Sequence, residues 1–83
     1  MAKKNLAEDP YEALANAIIV QACEDYRAAL RKLKKNPKNQ DAMAQTMECE
    51  RFFRSGWYQL LTAVDGEYLI ERLRAEITER QSE

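Results

Sequence analysis

Histidine is absent from this chain, and that decides most of what its reactive side chains can do. The commonest general base is missing. Two cysteines, Cys23 and Cys49, are too few for a secreted disulfide framework. Without histidine they also leave a zinc site two ligands short. Cys23 is followed by Glu24 and Asp25, and neighbouring anions disfavour a thiolate. Both thiols are expected to pack as small apolar groups. The carboxylates fall beside arginines at helix-surface spacings, and the two glycines stand alone. Neither a paired-acid site nor a phosphate-cradling loop can be drawn from them. The expectation is a protein that binds rather than reacts, with no enzyme activity, no cofactor and no metal.

Two clusters could bind. In CERFFRSGWYQL, Cys49 to Leu60, four of the chain's seven aromatics crowd together: Phe52, Phe53, Trp57 and Tyr58. Arg51 and Arg54 are threaded among them. Aromatic and guanidinium groups together suit protein hot spots, and they also suit stacking on a nucleobase while holding phosphate. At about 100° per residue, Phe53 and Trp57 share an inner face with Leu60 and Leu61. Phe52 then points to the side of Gln45, Gln59 and Ala63, with Arg51, Ser55, Tyr58 and Thr62 between the two faces. Arg51, Phe52, Arg54 and Tyr58 are therefore the expected binding residues. The second cluster is basic: Arg27, Arg31, Lys32, Lys34, Lys35 and Lys38, with no acid between Tyr26 and Gln40. Arg31, Lys34, Lys35 and Lys38 are taken as supporting binding residues. The competing reading is that cations near a helix C-terminus simply complement its dipole.

The elements that must position these groups are helices. Two glycines and two prolines in 83 residues, and a predominance of Ala, Leu, Glu, Arg, Lys and Gln, favour helix throughout. Asp9, Pro10 and Glu12 form a helix start with an Asp-x-x-Glu box. A broad apolar face follows: Tyr11, Ala15, Ile18, Ile19, Ala22, Cys23, Tyr26, Ala29, Leu30 and Leu33. Glu24, Arg27, Arg31 and Lys35 lie opposite, and Val20 is left on the polar side. The helix should run from Pro10 to about Lys35, a length of roughly 39 Å. A compact domain of this size has a radius of gyration of about 12 Å, hence a diameter of about 30 Å. A helix that outruns its own domain predicts a homo-oligomer. Asn36-Pro37 ends it, and Asn39 caps a second helix from Gln40. Its expected inner face is Met43, Met47, Phe53, Trp57, Leu60, Leu61 and Val64, with Cys49 at the edge. A break is expected at Ser55-Gly56, with Ser55 capping a short new helix. Asp65 caps the last helix, which buries Leu69, Ile70, Leu73 and Ile77. Glu71 with Arg74, Arg72 with Glu76, and Glu76 with Arg80 are spaced for surface ion pairs. The fold class is all-α, a small bundle of three to four helices with a long first helix. Residues 1–8 are expected as a flexible arm, 9–80 as one domain and 81–83 as a frayed end.

Thirteen basic and fourteen acidic residues nearly cancel. A generic nucleic-acid binder is clearly basic and a DNA mimic clearly acidic, so electrostatics can act only through local patches. No apolar run approaches the length of a membrane span, and no signal peptide is expected, because no apolar run follows Lys3 and Lys4. A cytoplasmic protein with reduced thiols is expected.

The segment FFRSGWYQLLTAVDGEYLIERLR, Phe52 to Arg74, resembles small helical proteins encoded by phages and prophages of Gram-positive bacteria. The likeness lies in an aromatic pair, Arg-Ser, Trp with a second aromatic, and Asp-Gly-Glu before an apolar helix. The resemblance implies a context rather than a set of functional residues. Such accessory proteins bind a host protein, a protein–nucleic-acid complex or a signalling nucleotide, including as inhibitors of host defence. The leading expectation is a non-catalytic accessory protein that occupies a host target through its helical surface. One alternative is an oligomeric sponge holding an anionic nucleotide. The other is a structural dimer within a phage assembly.

Overall fold

The computed structural model describes residues 9–82, with side chains through Thr78. The expected arm, 1–8, and Glu83 lie outside the described residues. Four helices follow in order: α1 (Pro10–Lys35), α2 (Gln40–Phe53), α3 (Gly56–Leu61) and α4 (Gly66–Ser82). The all-α class and the long first helix hold, and the described residues contain no strand. The last helix runs two residues beyond the expected domain end at residue 80.

Each boundary has a local cause. The Asp9 carboxylate accepts from the Tyr11 amide at 3.0 Å, with Pro10 at the first helical position. At the other end of α1 the Asn36 amide donates to the Lys32 carbonyl, and Lys32, Lys34 and Lys35 occupy the negative end of the dipole. Asn39 accepts from the Ala42 amide to start α2. The break at Ser55 is present. Its hydroxyl accepts from the Tyr58 amide at 3.1 Å and donates to the Phe52 carbonyl at 2.7 Å, so one side chain closes α2 and opens α3. Asp65 accepts from the Tyr68 amide and caps α4.

Helix α1 is the spine against which α2, α3 and α4 all pack. The core is Tyr26, Phe53, Tyr58, Ile70 and Leu73, with Ile19, Ala22, Cys23, Leu30, Cys49, Phe52 and Leu69 partly buried around it. The α4 stripe is as expected, since Ile70, Leu73 and Ile77 are buried. The α2 face is not. Ala42, Thr46 and Phe53 turn inward, while Met43 and Met47 are exposed. Small residues at Ala42 and Thr46 let α2 approach α1 closely, and the buried Thr46 hydroxyl is satisfied by the Met43 carbonyl at 2.7 Å. Val20 stands exposed on the polar side of α1.

The extents are 48 × 30 × 20 Å and the radius of gyration is 15.1 Å. That exceeds the ~12 Å of a compact domain of this length. The long helix therefore does outrun the bundle. Toward its N-terminal end Tyr11 and Leu14 are exposed rather than covered, which corrects the expected burial of Tyr11.

Candidate functional site: an apolar groove beside the aromatic ladder

The aromatics of α2 and α3 form a ladder that climbs from the core to the surface. Tyr26 meets Phe53 edge-on at 5.8 Å, and Phe53 meets Tyr58 at 5.7 Å. Tyr58 meets Phe52 at 5.7 Å, and Phe52 meets Trp57 at 5.6 Å. These are the offset and T-shaped geometries that aromatic quadrupoles favour. The roles of the two α3 aromatics are reversed from expectation. Tyr58 is 1% exposed and belongs to the core, whereas Trp57 is 56% exposed. The break at Ser55 resets the helical phase, so counting through it from α2 puts the wrong ring inside. Phe52 is half-buried and joins the two environments.

The arginines divide as well. Arg54 donates through Nε and Nη2 to both oxygens of Glu67, and its Nη1 lies 3.6 Å from Glu50. The hydrogen bond from Arg54 holds the Glu67 carboxyl below its ordinary range. Arg51 is exposed, beside Met47 and Glu50 in a shallow hollow that also includes Arg54. The four expected binding residues thus include one buried ring, one half-buried ring and two exposed guanidiniums, of which Arg54 is paired with Glu67.

The supporting basic residues sit at the opposite end of α2, around the α1–α2 turn. Lys34 donates to the Ile77 carbonyl at 2.6 Å, tying α1 to α4. Arg27 pairs with Glu76 at 2.8 Å. Arg31, Lys32, Lys35 and Lys38 are exposed. The structure does not bring the basic cluster to the aromatic one.

Both cysteines are free and half-buried. Burial pushes each thiol up from its ordinary value, which keeps it protonated and suits packing. Among the described residues, no group of three or more Cys, Asp or Glu side chains is placed to hold a metal ion.

What sequence reasoning missed is a groove between the first half of α1 and α3. Tyr11 is 80% exposed, Leu14 60% and Leu60 85%, and with Ile18, Trp57 and Phe52 they line a shallow, mostly apolar groove. Two adjoining depressions compose it, and both include Ile18 and Trp57. Leu14 was a usable signal, since it lies off the predicted core face yet next to Ile18 on the helix wheel. A folded monomer seldom leaves several large apolar side chains together in water unless they bind something.

The chain matches no protein-family description, no curated protein and no solved structure. No described helix is long and apolar enough to cross a membrane.

Proposed function

We propose that this chain is a non-catalytic binding protein that occupies a protein partner through the groove between α1 and α3. The observation that carries the proposal is the joint exposure of Trp57 and Leu60 beside Tyr11 and Leu14, in a bundle whose own core is closed without them. Covering a side chain such as Leu60 is worth about 1.5–3 kcal/mol before the costs of association. Leu60 lies outside the core cluster and shares its exposure with Trp57, Tyr11 and Leu14, and such grouping is what supports a binding surface. The resemblance to small phage-encoded helical proteins suggests the setting: a host protein, such as a component of host defence, in the host cytoplasm.

The nucleotide-sponge alternative has less support. Its aromatic and guanidinium groups would have to face a ligand, yet Tyr58 is in the core and Arg54 is engaged by Glu67. A homo-oligomer draws support only from the elongated shape, with a radius of gyration of 15.1 Å.

The test is affinity purification from the native host background, followed by native mass spectrometry, with wild type and Leu60→Asp side by side. The proposal expects a host protein retained by wild type and lost from Leu60→Asp, with both variants melting at the same temperature. Retention that survives Leu60→Asp but is lost in the triple variant Arg31→Ala, Lys35→Ala, Lys38→Ala would move the site to the basic end. A bound small anion in place of a protein would restore the sponge.

A further inference from the structure

We infer that the groove receives one amphipathic helix of a partner protein, apolar along its buried stripe and basic along both flanks. The inference rests on the groove being the binding surface and adds the chemistry of its occupant.

Shape comes first. The two depressions lie side by side, sharing Ile18 and Trp57, and their α1 residues run from Tyr11 to Asp25, roughly 21 Å. That is the length of about four helical turns. One wall is a helix and the other is a row of large side chains, Phe52, Trp57 and Leu60. An amphipathic helix laid along such a channel buries side chains at i, i+3, i+4 and i+7. An extended peptide would leave its backbone amides without partners, because no strand edge borders the channel among the described residues.

Charge comes second. The ionisable groups lining the channel, apart from the Tyr11 phenol, are carboxylates: Asp9 and Glu12 at one end and Asp25 at the other. No lysine or arginine lines either depression. The nearest cation along α1, Arg27, is bound to Glu76 of α4. Lysines or arginines on the flanks of an incoming helix would meet these carboxylates at both ends. A second copy of this chain fits less well. A second copy would present in its own groove the same carboxylates, Asp9, Glu12 and Asp25, and no lysine or arginine to meet them.

The experiment uses the full chain and the emission of Trp57, its only tryptophan. Two synthetic helical peptides of about 16 residues, long enough to fill the channel, carry the same leucine stripe and no tryptophan. One has lysine flanks and the other glutamate flanks. The lysine peptide should shift Trp57 emission to the blue and bind about tenfold or more tighter than the glutamate peptide at low salt, with the gap closing as salt rises. Glu12→Gln with Asp25→Asn should narrow the gap, with at most a small fall in melting temperature from the lost first-turn charge. Equal binding of the two peptides would overturn the charge inference and leave the groove standing. If neither peptide binds while Leu60→Asp still releases the host protein, the groove holds but its occupant is not such a helix. If neither binds and Leu60→Asp retains the host protein, the groove itself is wrong. A blue shift that grows with protein concentration alone, with a dimer in sedimentation, would give the groove to a second copy and overturn the inference.

Discussion

The Tyr26 hydroxyl donates to a Glu50 carboxylate oxygen at 2.6 Å, and this contact bolts α1 to α2. It does not stand alone. Arg74 of α4 donates through Nη2 to the same oxygen at 2.6 Å and through Nε to the Tyr26 hydroxyl at 3.1 Å. Three helices therefore meet at one phenol, one carboxylate and one guanidinium. Tyr26→Phe removes the shared hydroxyl while keeping the ring that packs on Phe53. It should cost about 1–2 kcal/mol, toward the upper end because the acceptor is charged. Urea unfolding of the variant is the measurement, and an unchanged midpoint would contradict the role assigned to the hydroxyl.

The same cluster sets the response to pH. Burial by itself would raise the Glu50 carboxyl, but hydrogen bonds from Tyr26 and Arg74, with the charges of Arg74 and Arg54, hold it below its ordinary value. A pKa lower in the native than in the unfolded state contributes stability above the unfolded value, and the contribution is lost as pH falls through the native one. Tyr26 behaves oppositely. Burial first, and then its hydrogen bond to Glu50, push the phenol from 10.0 up to about 12. Its contribution is complete below pH 10 and disappears as pH rises toward 12. Stability should therefore show a plateau with an acid and an alkaline limb. Tyr26→Phe should remove the tyrosine's part of the alkaline limb and shrink the acid one. Urea midpoints collected across pH test both limbs in one series.

The two glycines should answer differently to alanine. A Cβ on Gly66 would overlap the Phe53 carbonyl, which is backbone and cannot swing aside. Gly66→Ala must therefore push the start of α4 away from the end of α2, and a loss of about 2 kcal/mol is expected, typical of overpacking. A Cβ on Gly56 meets nothing within 4 Å. Gly56→Ala should be neutral or stabilise by up to ~1 kcal/mol, because it restricts the unfolded chain in the first turn of α3. Thermal melts of the pair would settle the contrast.

Helix ends were legible in the sequence because caps are local. Asp9, Asn39, Ser55 and Asp65 each bond an amide two or three residues ahead, and each was identifiable from residue type and position. Helix faces were less legible. On α2 the pairs Ala42–Thr46 and Met43–Met47 have the same four-residue spacing, one position apart, and hydropathy prefers the methionines. Close packing against α1 prefers the small residues, and that is a property of two helices rather than one. One helical phase carried across the break at Ser55 exchanges Trp57 and Tyr58, because α3 starts with a phase of its own. The Tyr26–Glu50–Arg74 cluster was out of reach for a third reason. Arg74 has a ready partner three residues back in Glu71, and nothing local reveals that it turns to α2 instead. The groove is made of what α1 and α3 leave uncovered, and single-helix periodicity assigns Tyr11, Ile18, Trp57 and Leu60 to a core and passes over Leu14.

Tyr58 offers the complement to Tyr26. Its ring is fully enclosed by Phe52 and Phe53, but its hydroxyl is buried without a hydrogen-bond partner among the described residues. Burial pushes the phenol up from its ordinary value, with the nearby Cys23 and Asp65 adding to the effect, so it stays protonated and gains nothing by ionising. A buried hydroxyl left unpaired costs about 1–3 kcal/mol of lost hydration. Tyr58→Phe keeps the ring and its edge-on contacts while removing that cost, so it should stabilise the protein by about 1 kcal/mol, where Tyr26→Phe destabilises it. The two substitutions change the same atom in neighbouring parts of one aromatic ladder, and only the hydroxyl's partners differ. Parallel urea titrations of the two variants test this directly. A destabilised Tyr58→Phe would mean that the hydroxyl has a partner and would overturn this account.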